Sequence, residues 1–355
     1  MAESWKVRFC TSFDGTKLAY VRAGDGPPIV ESAYRGHLDY VRDNPVWRHW
    51  IAELSRDRTY VRYDPRGWGL SDREVADISF ESLVRDLEAV VAAAGVDSFA
   101  LVGHSSGGAV AVEYAVRHPE RVSHLVLFNS FSRGQLTRAD GPRQVEEALL
   151  YYKVAEIGWE AEDPSFRVMT ATRFVPDAPA DFMKAFLELG RVSATPATQV
   201  RFMKVIDQMD VTDAAARVAC PCLVVNSRDA LRAPVEEGRR LATLLPDARF
   251  VTLPTPNHFL REDEPAWHQF VAQLRAFLPA ASSTAGPFAQ LTPRERELVE
   301  LLARALDNRQ IAARLGLTEK TVRNMVSSVL AKLGAGTRAQ AIVRARDAGY
   351  GAGAT

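Results

Sequence analysis

Residues 103–108, with the sequence GHSSGG, have the types and spacing of a nucleophilic acyl-transfer site. They follow an apolar run typical of a buried strand and precede a helical pattern, the context that gives a Gly-x-Ser-x-Gly match its meaning. Such a turn places Ser105 at a helix N-terminus, where negative charge is favoured, and the N–H of Ser106 would supply one oxyanion donor. The sequence therefore predicts a serine nucleophile. The alternative is a glycine-rich turn needed only to pack a strand against a helix.

The elements around this turn indicate the fold class. Short apolar runs suited to buried parallel strands alternate with helical patterns, which predicts an α/β sheet covered on both faces. From about residue 130 to 216 only helical patterns occur, which predicts an inserted lid. The predicted strands are 6–10, 17–23, 29–31, 60–63, 99–102, 125–128, 223–225 and 250–253, and the predicted helices outside the lid are 46–54, 80–93, 108–117, 235–244 and 267–278.

These features resemble the α/β-hydrolase fold family over about residues 13–278. The resemblance rests on the serine turn, on the strand-end motif YDPRGWGLSD at 63–72, and on His258, which follows the last predicted strand within PNHFL. The chain order Ser105, acid, His258 is that of the family. The resemblance implies that His258 is the base of a catalytic triad. It also implies a mostly parallel sheet with helices on both faces and a helical lid.

The acid of this triad is irregular. Residues 223–234 (LVVNSRDALRAP) resemble the segment that supplies it, but the family's aspartate usually lies four residues before the proline, where this chain has Ala230. Asp229, one position earlier, is the candidate acid. A triad acid must accept the Nδ1–H of the base, and a one-residue offset can turn the carboxylate away. The alternative for Asp229 is a solvated turn residue paired with Arg228 or Arg232.

The second oxyanion donor is also irregular. Many members of the family have His-Gly after the strand that corresponds to 29–31, whereas this chain continues with SAYRGH. A backbone N–H of Ala33 or Tyr34 is the candidate, since the hole requires an amide and no particular side chain. Asn129, at the end of another predicted strand, could orient a histidine but cannot carry the charge of an acid. These irregularities shift the expectation from turnover toward binding.

Aromatic residues are concentrated in the predicted lid. They could line an apolar pocket above Ser105, which predicts a small, mainly apolar ligand such as an ester or acyl compound. The alternative is that most of them pack the lid helices onto the sheet. The sequence has no P-loop, dinucleotide fingerprint or zinc-type spacing, so no cofactor and no metal are expected. The lid aromatics are Tyr151, Tyr152, Trp159, Phe166, Phe174, Phe182, Phe186 and Phe202.

A second functional region, residues 291–349, reads as four short helices, the second and third arranged as a helix-turn-helix. Each helical pattern follows a residue type that caps helix N-termini. The third helix carries polar side chains on its outer face that suit phosphates and base edges. The caps are Thr292, Asp307, Thr318 and Thr337, and the outer-face residues are Lys320, Arg323, Asn324 and Ser327.

This region resembles the LuxR-type DNA-binding domain over its whole length, through the segments LTPRERE (291–297), NRQIA (308–312), TVRN (321–324) and KLG (332–334). The resemblance implies double-stranded DNA as a partner and a homodimer formed through the fourth helix. It implies base contacts from Arg323, Asn324 and Ser327, and phosphate contacts from Lys320, Thr321 and Lys332. The alternative is a small helical bundle that only docks other proteins.

Charge and composition support two domains. Basic and acidic residues balance over the whole chain at 44 each, but from Phe288 onward eleven basic residues stand against six acidic ones. A basic tail suits nucleic acid. Residues 279–287, PAASSTAGP, are typical of a flexible tether. We predict a hydrolase-like domain at 1–279 with the lid at about 130–216, a linker at 280–289 and a helix-turn-helix domain at 290–355.

Cysteine usage and hydropathy predict the location. The three cysteines, Cys10, Cys220 and Cys222, have no metal or redox spacing, and such an odd, sparse set indicates a reducing cytoplasm. No apolar run approaches the ~18 residues of a membrane span, so no membrane partner is expected.

Three functions remain open on the sequence alone. The first is a transcription regulator whose hydrolase-like domain senses a small ligand. The second is a bifunctional protein that also hydrolyses that ligand, with Ser105, His258 and Asp229 as its triad. The third is a serine esterase whose C-terminal helices serve only in assembly.

Overall fold

The computed structural model describes residues 5–32, 35–158, 161–279, 288 and 291–351. The chain divides into two compact units, Met1–Ala280 and Ala281–Thr355, and each has its own hydrophobic core.

The strands of the first unit form one sheet in the described part of the chain. They are β1 (Val7–Thr11), β2 (Lys17–Ala23), β3 (Pro28–Glu31), β4 (Thr59–Tyr63), β5 (Phe99–His104), β6 (Val122–Phe128), β7 (Cys222–Ser227) and β8 (Ala248–Leu253). Their spatial order is β1-β2-β4-β3-β5-β6-β7-β8. The β1–β2 and β2–β4 pairs are antiparallel, and the other pairs are parallel. The carboxyl ends of β5 to β8 therefore lie at one edge of the sheet, where ligand sites of α/β proteins form.

Helices cover both faces of this sheet. The helices of the first unit are α1 (Leu38–Val41), α2 (Arg48–Leu54), α3 (Phe80–Ala94), α4 (Gly107–Arg117), α5 (Pro142–Gly158), α6 (Ser165–Ala171), α7 (Ala180–Ser193), α8 (Pro196–Gln208), α9 (Thr212–Ala215), α10 (Val235–Leu244) and α11 (Pro265–Phe277). Of these, α3, α4 and α10 lie on one face of the sheet, and α2 and α11 lie on the other. Because successive strand residues point to opposite faces, Leu101 of β5 packs in the core that contains α3, α4 and α10, whereas Val102 packs in the core that contains α2 and α11. The predicted fold class is confirmed.

The segment between β6 and β7 contains α5 to α9. Apart from an isolated bridge between Arg133 and Asp210, its described residues contain no strand. This helical insertion follows directly on the carboxyl end of β6, so its residues lie next to the edge of the sheet where β5, β7 and β8 end.

The second unit consists of α12 (Pro293–Ala303), α13 (Asn308–Leu315), α14 (Glu319–Lys332) and α15 (Arg338–Asp347) in its described residues. Each begins after its predicted cap, whose side-chain oxygen accepts a backbone N–H three residues later. Gly316 ends α13 with a φ of 67°, a left-handed conformation that favours glycine. Leu298, Ile311, Val322 and Val329 are fully buried between the four helices.

Candidate active site and candidate DNA interface

Ser105 lies in the sharp turn between β5 and α4. It has a φ of 51°, a conformation that costs a non-glycine residue about 1–3 kcal/mol and that the surrounding structure must hold. Its N–H donates to the carbonyl oxygen of Phe128 at 2.9 Å, which ties the turn to β6. Glycine is required beside it, because a Cβ on Gly103 would lie 2.5 Å from the Cα of Gly108. Ser105 therefore lies in the strand-to-helix turn that the sequence predicted.

His258 follows β8 and is held by its backbone. Its N–H donates to the carbonyl oxygen of Phe174 at 2.6 Å, and its carbonyl oxygen accepts from Asn129 Nδ2 at 2.9 Å. The imidazole lies against the rings of Phe174 and Phe259, with centroids 5.4 and 5.2 Å away. Both ring nitrogens are buried and have no hydrogen-bond partner among the described residues. The ring is positioned by packing, and no hydrogen bond from the described part of the chain fixes its tautomer.

Asp229 does not contact His258. Its side chain is exposed, and its backbone N–H donates to the carbonyl oxygen of Thr255 at 3.3 Å. Ala230, the next residue, is buried. The expectation that Asp229 is the acid partner of His258 therefore fails in this structure. The physical reason is the one-residue offset: adjacent residues of this turn point in different directions, so the inward position has a methyl group and the carboxylate is in solvent.

Asn129, the other candidate to orient the histidine, acts on the backbone. It directly follows β6 and has a φ of 47°. Its Oδ1 accepts the N–H of Ser227 at 2.7 Å, and its Nδ2 donates to Ser227 Oγ at 3.0 Å as well as to the carbonyl oxygen of His258. Asn129 thus joins the ends of β6 and β7 to the loop that carries His258, but it does not bond the imidazole.

Arg232 approaches from the loop where the family's acid would lie. Its side chain is buried, its Nη2 pairs with Asp207 Oδ1 at 3.1 Å, and its Nη1 donates to Gln135 Oε1 at 3.4 Å. Burial, and then the positive charge of Arg232, hold the pKa of His258 well below its usual value. The sequence pattern predicted Arg232 as a partner of a solvated Asp229, not as a buried residue. Its burial depends on Asp207, 25 residues away in the lid.

His104, the residue before Ser105, has a structural role. Its ring is buried against Trp47, Trp50 and Phe128, with Trp50 closest at a centroid distance of 4.6 Å. Burial lowers the pKa of His104 to about 4, against an opposing effect of Glu31, whose Oε1 lies 3.5 Å from its Nε2. The neutral ring therefore forms part of the support beneath the serine turn.

The oxyanion donors are described in part. Ser106 directly precedes α4, and its hydroxyl is buried without a hydrogen-bond partner among the described residues. Ala33 and Tyr34, the candidates for the second donor, lie outside the described residues. The N–H of the preceding Ser32 donates to the carbonyl oxygen of Val102 at 2.8 Å, which pairs Ser32 with β5.

An apolar pocket shares two rings, Phe174 and Phe259, with the surroundings of His258, but its described lining includes neither His258 nor Ser105. Its cavity volume is about 50 Å³, and Trp47, Trp68, Phe186 and Leu189 are among the residues that line it. Of the lid aromatics, Phe174 and Phe186 reach this pocket. Phe202 packs against Trp68, and the hydroxyl of Tyr152 donates a hydrogen bond to Asp207. Trp159 lies outside the described residues. Most lid aromatics therefore do not line the pocket, and packing accounts for several of them.

The candidate DNA interface is the outer face of α14. Lys320, Arg323, Asn324 and Ser327 are exposed there. Ser327 Oγ donates to the carbonyl oxygen of Arg323 at 3.1 Å. Thr321, also exposed, has its hydroxyl 2.9 Å from that of Thr318 at the start of the helix. These side chains share one surface, as an interface with a groove of DNA requires.

Lys332 departs from this pattern. Its Nζ lies 2.8 and 2.6 Å from the two carboxylate oxygens of Glu295, whose Oε2 also accepts the backbone N–H of Thr292 in the capping box of α12. The bonds from Lys332 and Thr292 lower the pKa of Glu295 to about 2. The ammonium group expected to bind phosphate is instead paired inside the unit, where it connects the end of α14 to the start of α12.

Comparison with known proteins identifies both units. The family model of the alpha/beta hydrolase fold matches residues 36–265, and that of the bacterial regulatory proteins of the luxR family matches residues 289–345. The chain is 30% identical over 227 residues to the putative carbamate hydrolase RutD of Klebsiella pneumoniae (strain 342), which covers 59% of this chain and 79% of that protein.

Solved structures agree on the fold of the first unit. An esterase from Exiguobacterium antarcticum superposes with a TM-score of 0.65 at 19% identity and covers 76% of this chain and 98% of its own. The enol-lactonase from Burkholderia xenovorans LB400 gives 0.61 at 24% identity and covers 76% and 99%. At these identities the likeness shows the fold alone. In the described residues, no group of three or more His, Cys, Asp or Glu side chains could hold a metal ion, and no helix is long and apolar enough to span a membrane.

Proposed function

The chain belongs to the α/β-hydrolase fold family and has a C-terminal domain of the LuxR family, and from this premise we propose a ligand-responsive, DNA-binding transcription regulator. Its hydrolase-fold domain binds a small molecule with a substantial apolar part. Its C-terminal domain binds duplex DNA as a homodimer. Arg323, Asn324 and Ser327 contact the bases, and Lys320 and Thr321 contact the phosphates. We also propose that the protein acts in the cytoplasm, where bacterial DNA lies.

The observation that carries the sensing role is the state of His258. A triad requires a carboxylate that fixes the tautomer of the base and stabilises the imidazolium formed during acylation. Here the ring has no hydrogen-bond partner among the described residues, and arginine approaches it from the loop that would supply the acid. Binding of a ligand needs none of the missing parts, whereas efficient turnover needs them.

Hydrolysis is the second candidate function, favoured by the strained turn at Ser105 and by relatives named as hydrolases. In that case Ser105 would attack an ester or a carbamate, His258 would accept its proton, the N–H of Ser106 and an amide at Ala33 or Tyr34 would hold the oxyanion, and a movement of the loop would bring Asp229 to the ring. Product formation would then end the signal.

The DNA-binding half is tested by selecting duplexes from a random library with the full chain. The expected result is an enriched, two-fold symmetric sequence whose affinity falls as salt rises, with Arg323→Ala reducing discrimination at one base position. Failure to enrich any sequence would contradict the proposed role as a transcription regulator.

The sensing half is tested with a serine-directed fluorophosphonate probe and a panel of p-nitrophenyl esters. Ligand binding that persists in Ser105→Ala, without product formation by the unaltered chain, supports the sensor. A burst of product that Ser105→Ala abolishes supports the hydrolase.

A further inference from the structure

Three arginines from the helical insertion and from the loop after β7 lie close together, and two of them, Arg173 and Arg232, act on His258. Arg138 comes from the loop after β6, Arg173 from the loop between α6 and α7, and Arg232 from the loop after β7. One neutral oxygen joins two of them: Gln135 Oε1 accepts from Arg173 Nη2 at 3.3 Å and from Arg232 Nη1 at 3.4 Å. Arg138 and Arg232 both lie against the ring of Phe131, at 5.5 and 5.8 Å.

Two carboxylates near this cluster, Asp207 and Glu237, each already pair with an arginine through one oxygen, and Glu237 Oε2 has no hydrogen-bond partner among the described residues. Asp207 Oδ1 pairs with Arg232, and its Oδ2 accepts from the hydroxyl of Tyr152 at 3.0 Å. Glu237 pairs with Arg133 at 2.6 Å. Neither Arg138 nor Arg173 has an ion pair among the described residues. Arg138 Nη1 donates only to the carbonyl oxygen of Arg133, and the guanidinium of Arg173 lies over the ring of Tyr151 at 3.9 Å.

This arrangement leaves an excess of positive charge in a partly buried place. Burial and the neighbouring Arg232 lower the pKa of both Arg138, to about 10, and Arg173. Such an excess is unfavourable in the empty protein, because a partly desolvated cation loses hydration without gaining a counter-ion. An anionic group between the guanidinium groups would remove this cost and would gain charge-assisted, bidentate hydrogen bonds.

The cluster adjoins the site proposed above. Arg173 precedes Phe174, whose carbonyl oxygen accepts the N–H of His258 and whose ring lines the apolar pocket. The positive charges of Arg232 and Arg173 both act on the imidazole, and its two buried ring nitrogens are without partners among the described residues. A molecule bound beside His258 would therefore have apolar walls on one side and guanidinium groups on another.

We propose that Arg138 and Arg173, positioned by Gln135, Phe131 and Arg232, bind the carboxylate of the ligand, so that the hydrolase-fold domain recognises small carboxylic acids with an apolar body. The inference rests on the proposed ligand-binding function and specifies its ligand class. The bound carboxylate joins the loop after β6 to the loop between α6 and α7, and these contacts, made only with the ligand, supply the difference between the free and the occupied states that a regulator must have.

The test measures binding of matched neutral and anionic probes to the full chain by calorimetry. The probes are sodium butyrate, hexanoate, octanoate and phenylacetate, each beside its methyl ester and primary amide, with inorganic phosphate as a separate probe. The best acid is expected to bind at least tenfold more tightly than its own ester. Arg138→Gln and Arg173→Gln are each expected to weaken acid binding by about ten- to a hundredfold, the range for charged hydrogen bonds, and to leave ester binding unchanged.

Lys153→Gln is the matched control, since Lys153 lies exposed on the same insertion, in α5, and pairs with Glu156. It is expected to bind acids as the unaltered chain does. Retained ester binding shows that the cluster variants are folded, and circular dichroism checks this independently. Esters that bind as well as acids, or phosphate that binds more tightly than every acid, would overturn the carboxylate assignment and leave ligand binding intact. Binding of no probe, acid or ester, would overturn the assignment and also contradict the sensing half of the proposed function.

Discussion

The guanidinium of Arg232 lies close enough to the imidazole of His258 to lower its pKa, in the same direction as the burial of the ring. In a serine triad a carboxylate has the opposite effect, since it stabilises the protonated imidazole. The loop from β7 to α10 thus corresponds in position to the loop that carries the acid of a triad, but the side chain that acts on His258 from it is positively charged. The ion pair between Arg232 and Asp207 holds this arrangement from the lid side.

Restoring the acid is expected to raise hydrolysis. In Ala230→Asp the carboxylate occupies the inward position of the loop, so it can accept the Nδ1–H of His258 and offset the effect of Arg232. We expect kcat/KM for a p-nitrophenyl ester to rise by about ten- to a hundredfold, well within the contribution of a triad acid. Ala230→Asn is the isosteric control without charge, and Ser105→Ala in the Ala230→Asp background should return the rate to that of buffer. An equal rise in Ala230→Asn would contradict the electrostatic explanation.

Acid is expected to destabilise the first unit through His104. Burial lowers its pKa from 6.5 to about 4, so between these values the unfolded chain binds a proton that the folded chain does not. Stability is therefore fully present above about pH 6.5 and is lost as the pH falls toward 4, by about 3 kcal/mol for a shift of this size. The measurement is the free energy of unfolding in urea between pH 4 and 7.

His104→Phe isolates this contribution, because it keeps an aromatic ring among the tryptophans and removes the titration. The difference in unfolding free energy between His104→Phe and the unaltered chain should therefore vary with pH across the window. His268→Asn, at an exposed position on α11, is the control and should follow the unaltered chain. Parallel curves for His104→Phe and the unaltered chain would rule out a buried neutral imidazole.

Two lysines of the second unit are expected to behave differently on DNA. Lys320→Gln removes an exposed charge from the outer face of α14, so the slope of log affinity against log salt should fall by about one. Lys332→Gln leaves Glu295 without its ammonium partner, so we expect a loss of about 1 kcal/mol in stability and an unchanged salt slope. Salt titrations of duplex binding and thermal unfolding distinguish the two effects. A reduced slope in Lys332→Gln would restore the phosphate contact that the sequence predicted.

The serine turn is expected to depend on a close contact between α4 and the residue that follows Asn129. A Cβ on Gly108 would lie 2.1 Å from Ser130 Oγ and 2.5 Å from Ser130 Cβ. Gly108→Ala should therefore cost about 1–3 kcal/mol, the usual range for overpacking. Adding Ser130→Gly removes both clashing atoms and should recover more than half of that loss. A double variant no more stable than Gly108→Ala would show that the strain arises elsewhere. Chemical denaturation of Gly108→Ala, Ser130→Gly and the double variant measures the coupling energy between the two positions.

Much of the fold follows from local patterns. The predicted run 99–102 lies within β5, and the helix predicted at 235–244 coincides with α10. The caps at Thr292, Asp307, Thr318 and Thr337 begin α12 to α15 because capping joins residues only three positions apart. The serine turn is local in the same sense, since glycines and a helix N-terminus surround Ser105 in the sequence itself.

The tertiary structure alone decided which side chains meet. The sequence determined that a serine turn, a histidine after β8 and a recognition helix exist, because alternation and capping are set by near neighbours. It did not determine that Asp229 points to solvent, that Arg232 is held by Asp207, or that Lys332 pairs with Glu295, 37 residues away. Such partners depend on how distant segments pack. In the loop after β7, a one-residue offset leaves Asp229 in solvent, so the charge that acts on the buried imidazole of His258 is that of Arg232.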